Sequence, residues 1–112
     1  MSHDVGVFFV ENQFDGAVEL RLVWDAGGGG KSDWLNLDDH QSKLISMTEF
    51  SPRPAEGTHV WLQGKGRGVK DKSGESQDIR LSLDDDDCIA VFRAQHRSSQ
   101  RFQLSFRYFR EL

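Results

Sequence analysis

The stretch that decides the fold is AVELRLVWDAGGGGKSDWLNL, residues 17–37, in which a strand-like segment leads into four glycines and a Lys-Ser pair. A strand followed by glycines and Lys-Ser is also how a nucleotide-binding phosphate loop begins. That loop needs a glycine at the position where this chain has Asp25, and it must open a helix whose amides hold the phosphates. The segment after Ser32 alternates like a strand instead. We therefore predict a strand-to-strand loop here, with no bound nucleotide.

The alternation of apolar and polar residues extends outward from this stretch over most of the chain. No segment sustains the apolar stripe of a helix over three turns. The predicted strands are residues 5–10, 17–24, 34–37, 43–50, 58–63, 78–83, 88–92 and 101–109. Segments 43–50 and 88–92 are unusual because they are apolar on both faces. This pattern predicts an all-β fold, a single antiparallel β-sandwich domain of about eight strands over residues 1–112, with a flattened β-barrel as the alternative.

The amino-acid composition indicates where in the cell the protein is located and which kinds of partner it binds. The one cysteine, Cys88, cannot form an internal disulfide, and its apolar setting in CIAVF predicts a buried core thiol. The N-terminal sequence lacks the pattern of a signal peptide, and no apolar run approaches the roughly 18 residues of a membrane helix. These features predict a cytoplasmic location without a transmembrane segment. The net charge of −4 makes nucleic acid an improbable partner.

The sequence contains no familiar arrangement of catalytic residues. There is no Gly-x-Ser-x-Gly turn, and the sequence shows no recognisable pair of nucleophile and general base. The Cys-x-x-Cys and His-x-x-x-His spacings of zinc sites are also missing from the sequence. We therefore predict a protein that is not an enzyme and has no cofactor, with calcium as the one candidate ion.

The loops should collect at two ends of the sandwich, because antiparallel strands place successive loops at alternating ends. One end is predicted to gather residues 12–16, 38–42, 64–77 and 93–100, with His40 and His96 among them. This end should be basic. The glycine-rich residues 64–68, GKGRG, are interpreted as part of a mobile basic loop.

The opposite end should be acidic and could hold calcium through loop carboxylates. The candidate metal ligands are Asp25, Asp33, Asp84, Asp85, Asp86 and Asp87. The four consecutive aspartates do not fit a helix-loop-helix calcium motif, which needs a glycine at the sixth position and a glutamate at the twelfth. Without an ion, they would form a solvated turn.

Strand parity also predicts an exposed aromatic face. If the leucines of WLNL and the Val60 and Leu62 side chains of THVWLQ point inward, the intervening side chains point outward. These candidate ligand-binding residues are Trp34, Asn36, His59 and Trp61. Together they resemble in composition a sugar-stacking platform, and they would equally suit a protein interface; alternatively, a neighbouring loop covers each tryptophan. The resulting hypothesis is a non-catalytic, lectin-like module that binds a glycan or a protein partner. It also allows the chain to form a homo-oligomer. The alternative is a calcium- or membrane-responsive β-sandwich.

Overall fold

The computed structural model describes residues 3–25, 28–68, 74–75, 81–83, 88–98 and 101–111. Its strands are β1 His3–Asn12, β2 Val18–Trp24, β3 Gly30–Lys31, β4 Leu35–Leu37, β5 Lys43–Ser46, β6 His59–Gly66, β7 Gly74–Glu75, β8 Leu81–Leu83, β9 Cys88–Ser98 and β10 Arg101–Glu111. They form two packed sheets rather than a closed barrel, which confirms the predicted all-β sandwich. None of the described residues belongs to a helix with the length and apolar character of a membrane span.

The first sheet has the order β10-β9-β1, with β5 on the other side of β1. The second sheet is built on β2 and β6, with β3 and β4 beside β2 and β7 beside β6. The short strand β8 pairs with both β1 and β6 and so joins the two sheets. Most pairs are antiparallel as predicted, but β1 runs parallel to both β8 and β9.

The core lies between the sheets and is filled by the inward-facing half of each alternating strand. Its largest fully buried side chains are Phe8, Phe14, Phe92, Phe102, Leu20, Leu22, Leu37, Ile45, Met47 and Leu62. The rings meet edge to face, with centroids 5.6 Å apart for Phe8 and Phe92 and 5.4 Å apart for Phe14 and Phe102. Each such side chain contributes about 1.5–3 kcal/mol on burial. Cys88 is also buried, as its apolar setting predicts.

The glycine-rich segment that the sequence interprets as a mobile loop is partly a core strand, so that interpretation is wrong for residues 64–66. Gly64 and Gly66 are the last inward-facing positions of β6 and are buried. A Cβ atom on Gly66 would lie 2.5 Å from Cζ of Phe14, and one on Gly64 would lie 3.2 Å from Cε1 of Phe102. These glycines therefore make room for phenylalanine rings.

Gly30 and Lys31 of the GGGGKS stretch form β3, which pairs with β2. Gly30 lies opposite Trp24 in the register of β2 and β3, and a Cβ atom on it would come within 2.6 Å of the indole ring. Ser32 is buried, and its hydroxyl accepts a hydrogen bond of 2.9 Å from the amide of Leu22. Lys31 belongs to β3 rather than to the first turn of a helix. Glycine and serine here serve packing and backbone hydrogen bonding.

Two other segments differ from their predicted form. Residues Met47–Glu49 form a 3-10 helix rather than a continuation of β5, because Ser46 and Glu49 make a capping box that satisfies the helix start. Strand β9 continues to Ser98, although residues from Arg93 onward were expected to be a loop. The Arg93 guanidinium is held by Glu11 of the neighbouring strand at 3.2 Å. This cross-strand ion pair suits a strand better than a loop.

Candidate functional site

The candidate site is the outer surface of the second sheet, which we call the Trp34 face. It comprises Glu19, Arg21, Trp34, Asn36, His59, Trp61, Gln63 and Lys65. Its position follows from alternation: Leu20 and Leu22 of β2 and Val60 and Leu62 of β6 are buried, so the residues between them point outward. The strand register then sets Glu19 opposite Lys65, and Arg21 opposite Gln63.

Trp34 is half-buried, and two cations lie over its ring. The guanidinium carbon of Arg21 is 4.1 Å from the centroid of the Trp34 ring, and Nζ of Lys65 is 4.2 Å from it. Both separations fall within the range of cation–π attraction. Lys65 also forms an ion pair of 3.1 Å with Glu19, and Nε of Arg21 donates a hydrogen bond to Oε1 of Gln63. Glu19 and Gln63 thus fix the positions of Lys65 and Arg21, and these two side chains fix the orientation of the indole ring.

Asn36 lies on the same side of the sheet, two residues after Trp34. It is exposed and sits opposite Glu19 in the pairing of β2 and β4. Its amide nitrogen donates a hydrogen bond of 3.2 Å to Oδ1 of Asp38. Asn36 therefore presents an exposed amide on this side of the sheet.

His59 and Trp61 occupy the β6 side of the face. Both are half-buried, and their ring centroids are 6.4 Å apart. Within the described part of the chain, Nε2 of His59 and Nε1 of Trp61 are buried and have no hydrogen-bond partner. Trp61 pairs with Val23, two residues along β2 from Arg21. Trp34 and Asn36 therefore share one face with His59 and Trp61, and Arg21 and Gln63 lie between the two pairs.

Sequence reasoning named four residues of this face and missed the other four. The outward positions of Glu19, Arg21 and Gln63 follow from the alternation of their strands, whereas Lys65 lies in the segment that was interpreted as a loop. The contacts of Arg21 and Lys65 with Trp34 could not be predicted, because they depend on the register between β2 and β6, which are about 40 residues apart.

The predicted metal ligands are not gathered into a site in the described structure. Asp25 and Asp33 are exposed. The amide of Asp33 donates a hydrogen bond of 2.8 Å to the carbonyl of Ser51, so the backbones of these two residues lie side by side. Residues 84–87 lie outside the described residues. Among those described, no three His, Cys, Asp or Glu side chains are placed to hold a metal ion.

Three of the segments predicted to gather at the opposite end, those of Asp15, His40 and His96, lie in contact. Oδ1 of Asp15 lies 3.2 Å from Nε2 of His40, and the Asp15 amide donates a hydrogen bond of 3.2 Å to Nε2 of His96. Nδ1 of His40 is also 2.6 Å from Oδ1 of Asp39. The two histidines thus face carboxylates at this end.

Comparison of the chain with protein-family models, with curated proteins and with solved structures finds no match. The functional interpretation therefore rests on the geometry of the Trp34 face.

Proposed function

We propose that the protein is a non-catalytic binding module that recognises a glycan through the Trp34 face. The observation that carries this proposal is the Trp34 ring, which is oriented by Arg21 and Lys65 on the same outer surface as Asn36 and Trp61. A flat apolar ring can stack on the apolar side of a sugar. The surrounding amides and charges can bind its hydroxyl or acidic groups.

The charge around the ring narrows the type of glycan. Arg21 and Lys65 bring two cations to the face, and Glu19 is the carboxylate that pairs with Lys65. A sugar carboxylate or sulfate could bind the same cations by charge-assisted hydrogen bonds. We therefore expect acidic glycans to bind more tightly than neutral ones, with an affinity that falls as salt rises.

A titration of acidic and neutral oligosaccharides against the purified protein tests this proposal. Binding should change the tryptophan fluorescence, and Trp34→Ala should weaken it by more than about fivefold, since truncation of a central aromatic side chain commonly costs over 1 kcal/mol. Trp34→Phe should retain part of the affinity because a ring remains. Trp24→Phe is the matched control, since Trp24 packs against the core and should leave binding unchanged.

The proposal fails if no glycan of either class binds, or if Trp34→Ala binds as tightly as the unchanged protein.

A protein partner is the second candidate, favoured by the contact of Arg21 with Trp34, because Trp and Arg are enriched among the residues that dominate protein interfaces. In that case Trp34→Ala should abolish recovery of the partner while glycans have no effect. The calcium- or membrane-responsive alternative stays a prediction, and a rise in melting temperature with calcium but not with magnesium would support it.

A further inference from the structure

Arg21 and Arg93 are strand arginines whose side chains reach a neighbouring strand, but the partners they meet there differ in charge. Nε and Nη2 of Arg93 donate hydrogen bonds of 3.3 and 3.2 Å to the carboxylate oxygen Oε2 of Glu11. Nε of Arg21 donates instead to Oε1 of Gln63, an uncharged amide oxygen. Glu11 therefore cancels the charge of Arg93, whereas Gln63 positions Arg21 without cancelling its charge.

The terminal nitrogens of Arg21 are open to solvent. Within the described part of the chain, Nη1 and Nη2 have no hydrogen-bond or ion-pair partner. The buried side-chain nitrogens that lack a partner there belong to His59, Trp61 and His96, so the two Nη groups are not among them. The guanidinium is held by the bond from Nε and by its position over the ring of Trp34. One edge of the guanidinium is thus fixed, and its other edge offers two adjacent nitrogen donors.

Lys65, the second cation of the Trp34 face, already has an ionic partner. Its Nζ forms an ion pair of 3.1 Å with Glu19, which lies opposite it in the register of β2 and β6. A ligand anion that binds Lys65 must compete with Glu19, and the carboxylate of Glu19 also repels it. Of the two cations on the face, Arg21 is therefore the one whose charge is available to a ligand.

We propose that Arg21 binds the acidic group of the ligand and that Glu19 restricts the site to sugars with a single carboxylate, such as one uronic acid residue. These roles rest on the glycan function proposed above for the Trp34 face. Two adjacent donors on a fixed guanidinium match the two oxygens of one carboxylate. A sugar with several sulfate groups needs further cations, and Lys65 is already paired with Glu19. Such a sugar also meets a chain whose net charge is −4.

Gln63→Glu tests the role of Arg21, because it gives that guanidinium the carboxylate partner that Arg93 has in Glu11. The hydrogen bond from Nε should be retained, and circular dichroism checks the fold. In calorimetric titrations, an oligosaccharide with one uronic acid residue should bind about tenfold more weakly, since a charge-assisted hydrogen bond is lost. The same oligosaccharide with its carboxylate reduced to an alcohol should bind as before. Gln103→Glu, an exposed position on the first sheet, controls for the added charge and should change neither affinity.

Glu19→Gln tests the restriction. The substitution frees Lys65, so an oligosaccharide with several sulfate groups should bind about two- to fivefold more tightly, in keeping with the strength of an exposed ion pair. The neutral oligosaccharide should bind with unchanged affinity. Glu11→Gln is the matched control, because it breaks the cross-strand ion pair of the first sheet and makes the same change in net charge. It should leave all three affinities unchanged.

The outcomes distinguish this assignment from the glycan function itself. If Gln63→Glu binds the uronic acid oligosaccharide as tightly as the unchanged protein does, the role of Arg21 is overturned. If the unchanged protein prefers the sulfated sugar, or if Glu19→Gln does not bind that sugar more tightly, the role of Glu19 is overturned. The glycan function stands in each of these cases. If none of the three oligosaccharides binds, the glycan function fails and the assigned roles fail with it.

Discussion

Replacing Gly66 with alanine tests whether phenylalanine rings fix the inner surface of β6. A Cβ atom at this position would lie 2.5, 2.8 and 2.9 Å from three carbons of the Phe14 ring. Ordinary contacts between carbon atoms are about 3.5–4.0 Å, so the ring or the strand would have to move by about 1 Å. Phe14 is fully buried and stacks on His96 with ring centroids 4.3 Å apart. The ring therefore has little room in which to retreat.

The magnitude follows from two opposing effects. Forcing an extra methyl group into a packed core costs about 1–3 kcal/mol. Alanine in a strand recovers about 0.5–1 kcal/mol relative to glycine, because glycine loses more backbone freedom on folding. Because the contacts would be as short as 2.5 Å, the cost lies in the upper part of its range, about 2–3 kcal/mol. Gly66→Ala should therefore lower the free energy of unfolding by about 1–2.5 kcal/mol, and the melting temperature by about 4–11 °C.

Urea unfolding followed by tryptophan fluorescence measures this loss, and two variants control it. Gly64→Ala should cost less, because its Cβ atom would be 3.2 Å from its nearest neighbours. Phe14→Leu removes the obstructing ring, so the double variant should lose less than the sum of the single losses, with a coupling of at least about 1 kcal/mol. If Gly66→Ala is as stable as the unchanged protein, or if the double variant is additive, the packing argument is refuted.

Two buried polar groups give the remaining stability predictions. Ser32→Ala should cost about 1–3 kcal/mol, because it leaves the buried amide of Leu22 without the hydroxyl that it binds at 2.9 Å. Urea unfolding checks this, and a change below about 0.5 kcal/mol would contradict it. Asn12→Ala should cost about 1–3 kcal/mol, because the Asn12 side chain donates to the carbonyl of Asp38 and accepts from the amide of Phe14. Hydrogen exchange at the Phe14 amide should become faster, whereas the exposed Asn36→Ala should leave it unchanged.

The strands could be predicted from the sequence because alternation is a local signal. The region around residues 64–66 shows where that signal ends. Glycine gives no apolar pattern, so the inward positions Gly64 and Gly66 were interpreted as loop. Their role becomes visible only when Phe14 and Phe102, which are distant in the sequence, are brought against them. Arg93 shows the same limit, because it belongs to a strand through its ion pair with Glu11 of β1.

The candidate site was predictable in its orientation but not in its contacts. Alternation alone placed Trp34 and Trp61 on an outer surface, and both are half-buried there. The cations beside Trp34 come from two other strands, and their reach depends on register and on side-chain conformation. The acidic residues 84–87 lie outside the described residues, so the calcium hypothesis is unchanged.

The position of β1 has a consequence for how the chain comes to be folded in a cell. This strand lies inside its sheet, and its parallel neighbour β9 is roughly eighty residues further along the chain. At a synthesis rate of about 5–20 residues per second, a ribosome needs about 4–16 s to deliver that neighbour. During this time the apolar residues Phe8 and Phe9 can form native strand pairing on only one side of β1, with β5. The nascent polypeptide is therefore most vulnerable to aggregation before β9 emerges, and a chaperone that shields β1 would protect it best.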